Sequence, residues 1–281
     1  MKRRKCMAIG ICMAAALAVT GCGNNNSQEA AADKEKDKTV SEAQVGEEPV
    51  TILMAAAASL EYSMKDDLIP MFQEQYPWIT VEGTYDSSGK LQTQIESGMD
   101  ADLFFSAAEK QMTALVDESL IDADSVTKLL ENKIVLIVPE AQKDKYARFE
   151  DIVNGNTIAV GDPDSVPAGQ YAKEALTSLG LWEQVSEKAS LGTNVTEVLN
   201  WVSEGSADAG IVYATDAATK KGSLAVAAEA PEGSLADKVI YPAGIVTGSR
   251  KKEAAQLFLD FLASEDAAAV FTEYGFTPIT E

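Results

Sequence analysis

Apolar and polar positions change period repeatedly from residue 50 onward, alternating short extended runs with helical ones. Val50 to Ala55 reads as a strand running into small residues and then Ser59, a good helix N-cap. Leu60, Met64, Leu68 and Phe72 recur at fours, predicting an amphipathic helix that ends near Tyr76-Pro77. Ile79 to Tyr85 is a second strand, followed by a helix with Leu91, Gln94 and Ile95 inward and Gly98 past its end. Ala101 to Ser106 is a third strand, with a helix around Met112 to Val116. Lys133 to Pro139 (KIVLIVP) is unbroken and apolar, the pattern of a strand buried on both faces of a parallel sheet. A short helix follows over Phe149 to Val153.

Thr157 to Gly180 (TIAVGDPDSVPAGQYAKEALTSLG) reads as strand, sharp turn and helix. Thr157 to Val160 is extended, Gly161 and Pro163 break it, and Tyr171, Ala175, Leu176 and Leu179 recur in helical spacing up to Gly180. Asn194 and Glu197 have capping-box spacing ahead of Val198, Leu199, Trp201 and Val202. Strands over Ala209 to Tyr213, Leu224 to Ala228 and Val239 to Val246 precede two closing helices, Lys252 to Leu262 and Asp266 to Tyr274. This alternation predicts an α/β fold, a parallel or mixed sheet covered by helices, with ligands at the carboxyl ends of strands.

The amino terminus changes the address of the chain. Lys2, Arg3, Arg4 and Lys5 precede a 13-residue run from Met7 to Val19, so residues 1–21 read as an export signal, too short to span a bilayer as a mature helix. Val19-Thr20-Gly21-Cys22 resembles a bacterial lipobox, which implies a lipid on Cys22 and attachment to the cell membrane. Cys6, Cys12 and Cys22 are the only cysteines, so the folded part has neither disulfides nor thiolate metal sites. Residues 22–49 form a lipidated cysteine and a flexible tether: Gly23 to Pro49 lacks aromatics, and such a coil reaches roughly 30 Å.

Charge and composition then narrow the chemistry. Removing the four signal cations from 23 basic residues leaves 19 against 44 acidic, a net charge of −25, which argues against nucleic acid as a partner. The chain has no histidine, excluding a Ser-His-Asp triad and every His-ligated metal site. With tyrosines titrating near 10, ligand affinity is expected to be nearly flat from about pH 6 to about pH 8.5.

Ser59, Ser88, Ala168 and Val195 stand at strand-to-helix junctions or helix starts with free N–H groups, and Tyr213 ends a strand with a hydroxyl donor. Each alone also fits a structural role: the serines as caps, Ala168 as turn filler, Val195 as core, Tyr213 as a packed aromatic. Together they suggest neutral donors around a small oxyanion. Charge-assisted hydrogen bonds contribute roughly 1.5–3 kcal/mol each, enough without any cation. An envelope hydrolase using Ser59 or Ser88 as nucleophile is a different reading, but neither serine begins a Ser-x-x-Lys and no base is evident. A non-transport adhesin or scaffold would bind no small ligand.

AAAASL at 55–60, DSSGKLQTQI at 86–95, ADLFFSA at 101–107, GDPDSVPAGQYAKEAL at 161–176, GIVYATDA at 210–217 and YGF at 274–276 resemble the molybdate-binding proteins of bacterial ABC importers. The resemblance covers essentially all of Val50 to Glu281. It implies a non-enzymatic, monomeric, extracytoplasmic protein with the periplasmic-binding-protein fold of the second type, two α/β lobes joined by two crossing strands, KIVLIVP and VIYPAGIV. One lobe would hold 50–132 plus 240–281, the other 133–239. No cofactor is implied; the ligand would be molybdate or tungstate, with sulfate or another tetrahedral oxyanion as the alternative, delivered to an ABC permease. Carried over by motif, the contacts to the oxyanion's oxygens, not to its metal, fall on Ser59 and Ser88 from one lobe and on the Ala168 and Val195 N–H groups and Tyr213 hydroxyl from the other. Glu61 and Asp86 sit close in sequence to these donors and would repel a dianion unless turned away.

Overall fold

Strand β1 (Val50–Ala57) carries the chain directly into a helical run over 58–75, and this junction sets the pattern for the rest. The computed structural model describes residues 48–279; the export signal, Cys22 and nearly all of the tether lie outside the described residues. The remaining strands are β2 (Ile79–Asp86), β3 (Leu103–Phe105), β4 (Thr127–Asn132), β5 (Ile134–Pro139), β6 (Ile158–Gly161), β7 (Ala189–Gly192), β8 (Ala209–Tyr213), β9 (Leu224–Glu229), β10 (Val239–Ile245) and β11 (Thr277–Pro278).

They form two sheets, each the centre of one lobe. The first has the order β11-β4-β10-β3-β1-β2, the second β7-β6-β8-β5-β9. β1 runs parallel to β2 and β3, and β6 parallel to β7 and β8, so helices returning between them cover the sheet faces. The chain crosses between sheets twice: at Lys133, between β4 and β5, and over residues 230–238, between β9 and β10.

β5 is buried along its apolar run, as its sequence requires, but it is antiparallel to both β8 and β9. It arrives straight from the first sheet through a single residue, with no helical crossover to reverse it, and therefore enters against the direction of β6 and β8. Strands β4, β7 and β11 are additions to the pattern read from sequence.

The spacing of fours in the first helical run has a structural cause. In a regular α-helix, Phe72 would lie roughly 120° around the axis from Leu60, since 12 residues at 3.6 per turn overshoot three turns. Met64–Leu68 is instead a π-helical turn, followed by Pro70, which has no N–H to give the carbonyl four residues back. The wider turn keeps Leu60, Met64, Leu68 and Phe72 all fully buried. Phe72 meets Phe258 of the Lys252–Leu262 helix with ring centroids 4.8 Å apart, joining the start of the lobe to its end. On the Ser88–Glu96 helix, Leu91 and Ile95 are buried but Gln94 faces solvent. Asn194 caps its helix by accepting the Glu197 N–H, while the Glu197 carboxylate reaches back to the Thr193 N–H, one residue beyond the expected partner.

The GDP-x-x-VPAG turn depends on two glycines. A Cβ on Gly169 would overlap the Gly161 carbonyl, so strand β6 and the Pro167–Ser178 helix approach closely only because both positions lack side chains. Gly169→Ala is expected to destabilise the folded domain by about 2 kcal/mol or more, lowering Tm by roughly 4–8 °C in a circular-dichroism melt.

Candidate functional site

Three helix N-termini converge between the sheets: Ser88–Glu96 after β2, Pro167–Ser178 after β6 and Val195–Ser203 after β7. The Pro167–Ser178 helix has Val166 at its N-cap, which offers no side-chain acceptor, and Pro167 at its first position, which has no N–H. Ala168 and Gly169 therefore present N–H groups with no carbonyl one turn back to receive them. Val195 is the first residue of its own helix, directly after the Asn194 cap, and its N–H is likewise without a carbonyl one turn back.

Ser59, Ser88, Ala168, Val195 and Tyr213 all line one cavity of about 10 Å³, together with Ala57, Ala58, Asp86, Ser87, Ala107, Val166 and Pro167. A volume of that order is about the least that a single water needs. A larger hollow of about 670 Å³, lined by Trp78 and Arg250 among others, receives none of the converging helix ends.

The hydroxyls in the cavity wall are held from behind. Ser88 Oγ accepts the Ala107 N–H at 3.0 Å, leaving its own hydrogen to donate. Ser59 Oγ lies 3.0 Å from the Tyr241 hydroxyl. Tyr213 donates to the Ala107 carbonyl across a long 3.4 Å, and burial holds its phenol well above the usual range, so it stays a neutral donor.

Among the described residues, Asp86 is the one charged residue in the cavity wall. Its carboxylate accepts the Ser87 N–H at 2.8 Å, faces Lys90 at 3.3 Å and takes an Asn194 amide bond at 3.3 Å. Glu61 pairs with Lys65, and the Lys173 ammonium sits 5.5 Å from the Trp182 ring centroid. No lysine or arginine lines the cavity. Asp216, on the helix that follows Tyr213, is buried with Oδ2 unpartnered; burial raises its pKa to about 7, opposed only by the Tyr213 backbone N–H.

The two lobes meet across the cavity. The Gly89 N–H donates to the Ser165 carbonyl at 3.0 Å, Asn194 to Asp86, and Gln111 Nε2 to Gln170 Oε1 at 3.1 Å. Sequence reasoning named Ser59, Ser88, Ala168, Val195 and Tyr213 but missed Ala107, which also lines the cavity, and Asn132 and Tyr241 behind it. Their partners lie 19 to 182 positions away, and nothing in the local pattern points to them.

The profile of a family described as bacterial extracellular solute-binding protein matches residues 52–277. The chain belongs to this family. The molybdate-binding protein ModA of Escherichia coli is 40% identical over 232 residues, covering 80% of this chain and 88% of that one. YvgL of Bacillus subtilis, which bears the provisional name of ABC transporter substrate-binding lipoprotein, is 39% identical and covers 94% and 95%. The solved periplasmic molybdate-binding protein of Azotobacter vinelandii shares the fold with a TM-score of 0.72 at 23% identity, over 82% of this chain and all of that one. Family and fold thus agree with the resemblance read from the sequence motifs, including two α/β lobes of the second periplasmic-binding-protein type. The family is one of binding proteins, and no described helix is long and apolar enough to cross a membrane.

Asp216 introduces a titration near neutrality that a histidine-free sequence does not suggest. Its folded pKa of about 7 lies above the unfolded value near 3.9, so the folded state keeps a proton that the unfolded chain releases between those limits. Stability from this group is complete below about pH 4 and drains away as pH rises to about 7. Comparing urea midpoints at pH 5 and pH 8, Asp216→Asn is expected to lose less stability over that rise than the parent, by on the order of a few kcal/mol.

Proposed function

We propose that this protein captures molybdate or tungstate between its two lobes and delivers it to the permease of an ABC importer. The observation that carries this reading is the convergence of neutral hydrogen-bond donors, two serine hydroxyls, a tyrosine hydroxyl and helix N-terminal N–H groups, on one small cavity with no cation in its wall. Such a site suits a compact oxyanion, because aligned peptide dipoles and O–H groups stabilise negative charge without a counter-ion. The ModA relatives bind molybdate by name, which supports the choice among oxyanions.

The contacts are Ser59 and Ser88 from one lobe, and the Ala168 and Val195 N–H groups with the Tyr213 hydroxyl from the other. The oxyanion's oxygens, not its metal, meet these donors. The lobes comprise 50–132 plus 240–281 and 133–239. The mature protein acts as a monomer, held outside the cell membrane by lipid on Cys22 through the 22–49 tether after removal of residues 1–21.

Ligand that binds only the folded domain raises its stability by about 2.7 kcal/mol at a hundredfold excess over Kd, roughly 5–10 °C in Tm here. Molybdate and tungstate are expected to give that shift and sulfate a much smaller one. By calorimetry, Ser59→Ala and Ser88→Ala should each weaken molybdate binding more than Lys90→Gln or Lys173→Gln, which should each cost less than about tenfold. Equal shifts from sulfate and molybdate would remove the selectivity, and no shift from any oxyanion would remove the function.

Closure generates a separate test. A Cβ on Gly89 would overlap the Ser165 carbonyl of the facing lobe, a clash that exists only when the lobes are shut. Gly89→Ala should therefore leave the ligand-free Tm within about 2 °C while lowering molybdate affinity by about tenfold or more. A variant that melts early and binds normally would place Gly89 in the fold rather than in closure.

A further inference from the structure

Ser59 reaches the cavity from a residue whose other side is already engaged. Its Oγ is 3.0 Å from the Tyr241 hydroxyl, and that hydroxyl is 3.2 Å from Asn132 Nδ2. Asn132 Nδ2 also donates to Thr215 Oγ1 at 2.9 Å. All four side chains are buried, so the protons among them have few places to go.

Their order can be worked out from one fixed end. The Lys133 N–H donates to Asn132 Oδ1 at 2.8 Å, and turning the amide over would set an NH₂ against that N–H. The amide nitrogen thus faces Tyr241 and Thr215 as an obligate donor. Tyr241 accepts from it; either hydroxyl of the Tyr241–Ser59 pair can be the donor, and when Tyr241 is, Ser59 Oγ is its acceptor. With its oxygen taken on that side, Ser59 directs its own hydrogen into the cavity. Ser88 is set in the same sense by the Ala107 N–H, so one serine is ordered by backbone and the other by a side-chain relay.

We propose that Tyr241 and Asn132 are positioning residues that hold Ser59 as a hydrogen-bond donor to the captured oxyanion. This rests on the reading of the cavity as the oxyanion site. Asn132 is the last residue of β4, where the chain leaves the first sheet, and Thr215 belongs to the second lobe, so the relay is anchored on both sides of the crossing. Without Tyr241's proton, Ser59 would be free to rotate and would have to be ordered by the ligand itself.

Tyr241→Phe keeps the buried ring and removes the hydroxyl, so the test is a double-mutant cycle with Ser59→Ala, read by calorimetry against molybdate after circular dichroism has established folding. Tyr241→Phe alone is expected to weaken binding by about tenfold, and Ser59→Ala by at least as much. Adding Tyr241→Phe to Ser59→Ala should change affinity by less than about twofold, because the relay then has nothing to position. A packing role would instead cost the same in both backgrounds, and that additivity would overturn the proposal. So would a Tyr241→Phe variant that binds within about twofold of the parent. If Ser59→Ala itself binds like the parent, while the other cavity variants weaken binding, Ser59 is not a ligand donor and the relay falls with it; if no cavity variant weakens binding, the site reading fails as a whole. Should Tyr241→Phe not fold, Asn132→Ala enters the same cycle, with the same requirement that its effect disappear when Ser59 is alanine.

Discussion

The N–H groups in the first turn of a helix have no carbonyl to bond within the helix, and both sheets are built so that several such turns point at one place. Parallel strands make this possible. When β1, β2 and β3 run the same way, as β6, β7 and β8 do, every following helix starts at the same edge of its sheet. Placing those two edges face to face brings the Ser88, Pro167 and Val195 helix ends together. The crossing at Lys133 helps set that arrangement, since it passes the chain from one sheet to the other without a helix and leaves β5 antiparallel to its neighbours.

An acidic protein repels anions at long range, but the field near the cavity is set by groups a few ångströms away. Distant carboxylates are screened over a Debye length of about 8 Å at physiological ionic strength. The near ones are each answered locally: Asp86 by Lys90, Asn194 and the Ser87 N–H, and Glu61 by Lys65. Asp216 has no cationic partner and instead holds its proton up to about pH 7. Neutral donors keep the site's character largely independent of these partners.

What could be read from the sequence follows from where each signal is stored. Ser59, Ser88 and Ala168 stand where an extended run gives way to a helical one, so local pattern alone marks them, and Tyr213 ends a strand. Val195 rests more on register than on motif, yet it too lines the cavity. The direction of β5 was not legible, because a strand buried on both faces shows the same unbroken apolar run whether its neighbours are parallel or antiparallel. β11 is two residues long and β7 mixes Gly, Ser and Leu, too little pattern to announce a strand. The bond between Asn132 and Tyr241 joins residues 109 positions apart; only the completed fold brings them into contact.

The closed arrangement carries its own cost, and that cost gives closure its meaning. Gln111 and Gln170 share one hydrogen bond across the cleft, while Gln111 Oε1 and Gln170 Nε2 are buried with no partner. Water would satisfy both atoms when the lobes part, and each such orphaned group costs about 1–3 kcal/mol when buried. Against this stand the Gly89 to Ser165 and Asn194 to Asp86 bonds, whose net contributions are of similar size. The two orphaned atoms thus offset part of what these inter-lobe bonds contribute to the shut arrangement. In a protein that captures its ligand between lobes, a trap that shut firmly by itself would hide its donors, and a buried pair with two unpaired atoms works against such self-closure.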